Sequence, residues 1–423
     1  MHVVILGNGV AGITTALAIR KRKPDAKITV VSGESKYHYS RPALMYIFMG
    51  HMRYQETKPF EDRFWSDMKI DLVRGWATNI DVENRRLEMK GQSAIPWDKL
   101  VIATGSKPNK FGWDGQDLDG VQGLYGLYDL KKLYENAERT KHAVVVGGGL
   151  IGIELAEMLH SRHIPVTFFV REKSYWDNVL NAEESQLVSR LIRHHGFGLE
   201  LSTNLERIED DGAGRAAAAV TSDGKRVECQ LVGLTAGVSP NVDVVKNAGI
   251  DTGRGVLVND RLETHTPDVY AVGDCAEIER DGDTRNLLQQ VWYTGKMQGE
   301  VAAENICGGE RDYDPGVWFN SAKFLDLEYH TYGDVNRRIE GEHNLYWEHE
   351  SGRHSARLVH KDDVVIGLQT MGLRWRHVVA EKWLKEKRSV KDAIGALGQL
   401  TFEPEFHNGH EQAIQSAFSE QLS

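Results

Sequence analysis

Cysteine is scarce. Three occur in 423 residues, Cys229, Cys275 and Cys307, with no C-x-x-C and no zinc-type spacing. That excludes a disulfide-stapled scaffold and a cysteine-held metal centre, and it suits a reducing cytoplasm. Long apolar runs are missing too. None nears the roughly 20 residues that cross a bilayer, so no membrane span is expected. Blocks of one charge are absent. The 51 Lys and Arg and the 61 Asp and Glu are interspersed for a net charge of -10, which argues against nucleic-acid binding and for ordinary solubility. The first strand is expected from about His2, which leaves no room for a signal peptide. The 17 histidines are scattered. The closest sets, His194-His195 and His407/His410, lack nearby cysteine or acidic ligand spacing and read as surface residues, so no metal site is expected. Low-complexity segments and internal repeats are missing, apart from two glycine turns.

Those turns are what the chain does have. His2-Val-Val-Ile-Leu6 is an apolar, β-branched run that ends at Gly7. Gly7, Gly9 and Gly12 then open an apolar helical stretch from Ile13 to Arg20. This is the dinucleotide fingerprint in its required setting, strand before and helix after. Gly7 would permit the tight turn, Gly9 the close approach of a pyrophosphate, and Gly12 close helix–strand packing. The helix N-terminus supplies free N–H groups and a positive dipole end. A second copy follows at 143–156, with Gly147, Gly149, Leu150, Ile151, Gly152 and Glu154. Two such sites in one chain suggest two nucleotides face to face, a flavin taking hydride from a nicotinamide.

A hydrophobic fraction of 41% supports large cores, and the length suggests two to four domains. The second strand, from Ala26 to Val31, leads to Ser32-Gly33-Glu34. Glu34 lies about 22 residues past Gly12, where a carboxylate commonly bonds adenosine ribose hydroxyls. Residues 37–53 form an aromatic, Met-rich loop and helix with Pro42 at an N1-type position, suited to a wall of the flavin pocket. Strand-type alternation marks 70–90, including Ala77 to Ile80, and Trp97 to Ala103 is a further strand closing at Thr104-Gly105. Residues 106–123 lack periodicity and read as a linker. Tyr128 to Arg139 is expected as an amphipathic helix with Leu130, Leu133, Tyr134 and Ala137 on one face. In the second nucleotide unit the ribose-acid position is Val170, followed by Arg171 and Glu172. Arg171 favours a 2′-phosphate and Glu172 a free ribose diol, so NADPH and NADH both stay open. A helix and a strand are expected over 183–203 and a hairpin over 215–235. Turn residues at 236–241, including Gly237, mark the exit. Asp274 ends a strand and precedes a helix expected from Asn286 to Ile306. Residues 311–423 carry four tryptophans, strand-like alternation at 343–370 and helical segments at 376–397.

The chain resembles the FAD-dependent pyridine nucleotide oxidoreductases of the glutathione-reductase-like fold. The matching motifs, in the family's order, are Gly7-x-Gly9-x-x-Gly12, Glu34, Val101-Ile-Ala103-Thr104-Gly105, Gly147-x-Gly149-x-x-Gly152, Gly237-x-x-Pro240-Asn241 and Val269-Tyr-Ala-Val-Gly273-Asp274. The resemblance implies an α/β fold of two Rossmann-like dinucleotide-binding domains plus a smaller α+β C-terminal domain. The boundaries are 1–113 with 255–310 for FAD, 114–254 for NAD(P), and 311–423 for the third. Implied cofactor contacts are Gly7, Gly9, Val10, Ala11, Gly12, Glu34, Arg41, Pro42, Ala77, Ala103, Thr104, Gly105, Gly273 and Asp274, with Asp274 on the flavin ribityl chain. Gly147, Gly149, Leu150, Ile151, Gly152, Arg171, Glu172 and Gly237 complete the set. Disulfide reductases of the family carry cysteine shortly after the ribose-binding acid. This chain has Ser40-Arg41-Pro42-Ala43-Leu44 there and no cysteine before 229. Tyr39-Ser-Arg-Pro-Ala-Leu44 is similar instead to ferredoxin, rubredoxin and nitrite reductase flavoproteins. In that branch a lysine falls where this chain has Tyr46, so Glu154 lacks its cationic partner. Glu154 and Trp292 are the candidates for lining the nicotinamide site. The implied activity passes electrons from NADPH or NADH through FAD to a ferredoxin- or rubredoxin-type acceptor in the cytoplasm, with a homodimer compatible. The alternatives are an NAD(P)H oxidase or quinone diaphorase, or an interaction protein like apoptosis-inducing factor. Residues 372–423 carry no motif, and Phe402-Glu-Pro-Glu-Phe406 reads as a surface tail, with a docking element or a lid as the alternative.

Overall fold

The computed structural model describes residues 1–280, 287–402, 405 and 409–423. Asn286, most of the Phe402–Phe406 stretch and His407 lie outside the described residues. The chain divides into two compact units, residues 1–112, 116–140 and 233–315 in one, and residues 113–115, 141–232 and 316–423 in the other.

In the first unit His2–Leu6 is the middle strand of a parallel sheet. The order is Val269–Ala271, Lys99–Ile102, His2–Leu6, Lys27–Ser32, Ile70–Arg74. A parallel strand covered on both faces must be apolar throughout. Val3, Val4 and Ile5 are accordingly fully buried. Helix Val10–Arg22 follows, with helix Trp292–Ile306 against it. Gly299 allows that approach, because a Cβ there would stand 2.6 Å from the Ala11 carbonyl oxygen. The buried Arg20 guanidinium donates to the carbonyls of Pro24, Ala26, Met68 and Lys69, tying the helix end to the neighbouring turns. A smaller antiparallel sheet, Ala77–Asp81, Arg86–Met89 and Gln92–Pro96, completes the expected alternation.

The second unit repeats the pattern with parallel strands Ala143–Val146, Val166–Val170 and Gly198–Leu201, and helices Leu150–His160 and Ala182–His194. The expected hairpin is a three-stranded sheet, Leu205–Asp210, Ala216–Thr221 and Arg226–Glu228. Residues 316–423 add a five-stranded antiparallel sheet in the order Phe319–Phe324, Leu327–Gly333, Val364–Met371, Ser355–Lys361, His343–Glu348. Helix Glu411–Leu422 buries Ile414 and Phe418. Its Gln421 side chain accepts from Tyr346 N and donates to Tyr346 O, covering the free edge of the last strand as another strand would. The ion pair of Glu184 with Arg357 is fully buried. Arg357 donates to both Glu184 oxygens and to Val335 O, Asn344, Asn336 and Gln369, so the guanidinium is saturated.

Several local expectations are corrected. Within the supposed linker, Ser106–Pro108 pairs antiparallel with Val238–Pro240, strands too short to show a period. The helix at 127 starts at Leu127, and Asn136 replaces Tyr134 on its buried face by bonding Gln122. Tyr134 instead donates to Ile47 O and packs on Phe48. The late helix begins at Trp292. His410 is half-buried, its ring 4.9 to 5.4 Å from His349, His354 and Trp347, and is not a loose surface residue.

Candidate functional site

The first glycine turn is built from backbone demands. Gly7 has φ +122°, and a Cβ there would lie 2.0 Å from the Ala103 carbonyl oxygen. At Gly12 a Cβ would lie 2.2 Å from the Gly7 carbonyl oxygen. Gly9 is different. It is the residue capping helix Val10–Arg22, and a Cβ there would meet nothing within 4 Å. Space at that glycine, facing the free N–H groups of Val10 and Ala11, is what a pyrophosphate needs.

Glu34 stands beyond the end of the next strand. Its carboxylate takes both Arg41 nitrogens, at 3.2 Å from Nη1 to Oε1 and 2.7 Å from Nη2 to Oε2. It also accepts from the Tyr39 hydroxyl and, at 2.7 Å, from the Leu127 N–H opening helix Leu127–Ala137. Burial alone would raise its pKa. The Arg41 charge and these hydrogen bonds outweigh burial and hold Glu34 below the usual carboxylate value. Gly126 is required here, since a Cβ would stand 2.4 Å from Glu34 Oε1. Pro42 is the second residue of the turn Arg41–Ala43, one place later than expected. Ala77 opens its strand just after Trp76, whose ring covers Gly33.

On the far side of the central strand, Ala103 N donates to Leu6 O, and Thr104 Oγ1 donates to Asn241 O at 2.6 Å. Gly105 has φ +70° and Gly237 φ +85°. Gly273, at φ +76°, donates to Gln298 and leads into Asp274. Asp274 Oδ2 accepts from Ser106 Oγ at 3.2 Å and from the Tyr125 hydroxyl at 3.4 Å. Burial raises the Asp274 pKa against these donors and the Arg41 charge. The first unit therefore brings the glycine turn, Glu34, Arg41, Thr104, Gly105 and Asp274 into one connected site. Gly9 offers room for a pyrophosphate and two carboxylates lie beyond it, which fits FAD. Cys275 beside Asp274 is fully buried with a thiol pKa raised by burial, so no thiolate stands there.

The second turn repeats the first. Gly147 has φ +121° and donates to Phe169 O, as Gly7 does to Val31 O. Gly149 is open, with no atom within 4 Å of a Cβ, and Leu150, Ile151 and Gly152 begin the helix. Beneath it the Tyr175 hydroxyl donates to Gly149 O at 2.8 Å. Val170 packs against Gly148, leaving the strand end without a carboxylate. Arg171 and Glu172 pair with each other at 2.8 Å, Arg171 being mostly exposed. Glu154 lies one turn along, its carboxyl pushed up to about 7 by burial and then by Glu157. Trp292, in the first unit, opens its helix and is 45% exposed, next to Gly295, which faces Val10, Ala11 and Gly273. Tyr125, Ser106, Tyr39 and the Leu127 N–H were not singled out in the sequence. Tyr39 lies only 5 positions from Glu34, but the partners of Leu127 N–H, Tyr125 and Ser106 stand 93, 149 and 168 positions away, which local pattern does not reveal.

Residues 1–299 match the family model described as pyridine nucleotide-disulphide oxidoreductase. An NADH oxidase of Methanocaldococcus jannaschii is 31% identical over 78% of this chain and 75% of its own length. The rubredoxin-NAD(+) reductase of Acinetobacter baylyi is 31% identical over 66% of this chain and 73% of its own. A crystal structure of a ferredoxin reductase from Rhodopseudomonas palustris superposes with a TM-score of 0.80 at 25% identity, covering 88% of this chain and 91% of that one.

Proposed function

This chain belongs to the pyridine nucleotide-disulphide oxidoreductase family, and from that premise we propose that it carries electrons from NADH or NADPH through FAD to a small ferredoxin- or rubredoxin-type protein. The observation that carries the reading is the missing thiol. The segment after Glu34 holds Arg41 in an ion pair, and all three cysteines are unpaired, with Cys275 and Cys229 buried. Burial pushes Cys229 up to about 12. A disulfide acceptor relay has no residues to run on here, so the electrons leave by another route.

When bound, a flavin accepts two electrons from a nicotinamide and releases them one at a time. The chain's own residues position it. The N–H groups at Val10 and Ala11 face the pyrophosphate, Glu34 takes the ribose hydroxyls while Arg41 holds its carboxylate in place, and Asp274 accepts from the ribityl chain. Gly147 to Gly152 do the same for the nicotinamide nucleotide. Arg171 and Glu172 meet its adenosine ribose, and Glu154 is the second unit's candidate for the nicotinamide, as Trp292 is the first unit's. The functional division follows 1–113 with 255–310, 114–254, and 311–423. A reducing cytoplasm suits the three unpaired cysteines, and a homodimer is the assembly to test by sedimentation.

The test is an anaerobic titration of the yellow protein with NADH and with NADPH, followed by addition of rubredoxin, ferredoxin or air. Bleaching by a nucleotide and rapid recovery with a carrier is expected. Recovery in air as fast as with any carrier supports an oxidase instead, the activity named for the archaeal relative. Flavin that neither nucleotide bleaches defeats the reductase reading.

A further inference from the structure

The tripeptide Tyr125-Gly126-Leu127 touches both carboxylates of the first site. Leu127 N–H donates to Glu34 at 2.7 Å, and Tyr125 reaches Asp274 at 3.4 Å. The two acids lie 240 positions apart in sequence, on opposite sides of the central strand. Tyr125 is held from every direction. Its N–H donates to Asp129 at 2.8 Å, its carbonyl accepts from Arg41 Nη1 at 2.8 Å, and the Arg41 guanidinium stacks 4.7 Å over its ring. Its hydroxyl accepts the Ser106 N–H at 2.8 Å, which leaves the phenol's one proton for Asp274 Oδ2. Gly105 makes room for the phenol, because a Cβ at that residue would lie 2.8 Å from the hydroxyl oxygen.

We infer that Tyr125 is a positioning residue for the flavin. With Ser106, itself held by Gln290 at 2.7 Å, it loads both hydroxyl donations onto Oδ2 of Asp274 and so presents Oδ1 to the cofactor. This rests on the FAD reading above. The phenol does not touch the flavin in this role. It selects which oxygen of Asp274 is free and opposes the rise that burial imposes on the carboxyl, since a donated hydrogen bond favours the charged form. The other influences on Asp274 are burial, which raises its pKa, and the Arg41 charge and the Asp274 backbone N–H, which favour the ionised form.

Tyr125→Phe removes the donation and keeps the ring under Arg41. FAD release on dilution of the full-length holoprotein, read by the fluorescence of freed flavin, gives the dissociation constant across pH. About a five- to tenfold weaker FAD affinity at neutral pH is expected. The acid limb of the affinity profile moves to higher pH, because Asp274 has lost a stabilising donor. A packing role alone would weaken binding without moving that limb. Ser106→Ala removes the other hydroxyl donor and moves the limb the same way, which keeps the test open if Tyr125→Phe does not fold. A wild-type profile in both variants overturns the inference. Wild-type protein that holds no flavin overturns the FAD reading instead.

Discussion

Replacing Glu154 by glutamine removes a charge that the fold accommodates badly. Glu154 sits on helix Leu150–His160, with Glu157 one turn on and Tyr175 alongside. Neither neighbour helps. Glu157 is itself anionic, and the Tyr175 hydroxyl is committed to Gly149 O. Burial and that like charge raise the carboxyl from an ordinary 4.5 to about 7. In the unfolded chain the group ionises near 4.5. Below that pH both states hold the proton, and the group leaves stability unchanged. As pH climbs from 4.5 to 7 the unfolded state gives up its proton first, and the folded state loses about 1.4 kcal/mol per pH unit. The loss levels off above 7 at roughly 3 kcal/mol. Glutamine keeps the shape and cannot ionise. Urea unfolding of wild type and Glu154→Gln at pH 4.5, 6 and 8, read by far-UV circular dichroism and tryptophan fluorescence, checks this. The two proteins are expected within about 1 kcal/mol of each other at pH 4.5, with the variant roughly 3 kcal/mol more stable at pH 8. Parallel stability curves across that range would refute the reasoning and make Glu154 an ordinary solvated helix acid.

Gly9→Ala should fold like wild type and lose FAD affinity at least tenfold, because its Cβ meets no protein atom. Gly7→Ala should fail to fold, with φ +122° and a Cβ 2.0 Å from a carbonyl oxygen, and thermal melts with and without added FAD separate the two. Arg171→Ala should weaken NADPH about tenfold and leave NADH within about twofold, while Glu172→Gln weakens NADH more than NADPH; equal changes for both nucleotides would remove this pair from nucleotide choice. Arg357→Met leaves the buried Glu184 carboxylate unpaired and should cost about 3 to 5 kcal/mol, with Glu184→Leu in the same chain recovering much of it in the same urea assay.

The parts of the site legible in the sequence are those with local causes. A strand, a glycine that must take φ near +120° and a helix follow one another within a dozen residues, so the pattern announces itself twice. The structure repeats it closely. Gly7 and Gly147 take φ +122° and +121°, and even the strand openings match, with His2 on Thr29 at 2.9 Å and His142 on Thr167 at 3.0 Å. What stayed hidden depends on distant partners. Asn136 outranks Tyr134 at the buried face of its helix because Gln122 receives it, and no periodicity carries that information. Arg41 and Glu34 could each be named from the sequence, but their bidentate pairing could not, nor could Tyr125 as the bridge to Asp274.

The two halves diverge at one place, and the divergence bears on function. After the first repeat the strand leads to a carboxylate fixed by Arg41, Tyr39 and a helix N–H before any ligand arrives. After the second it ends in buried Val170, with a mostly exposed Arg171 paired to a half-buried Glu172. Preorganised acceptors spare a ligand the ordering that binding otherwise demands, whereas an exposed ion pair must be rearranged at each encounter. On the proposed reading the first nucleotide is therefore retained between turnovers and the second exchanges. A resident flavin fed by a passing nicotinamide requires that asymmetry, and two equally built sites would not provide it.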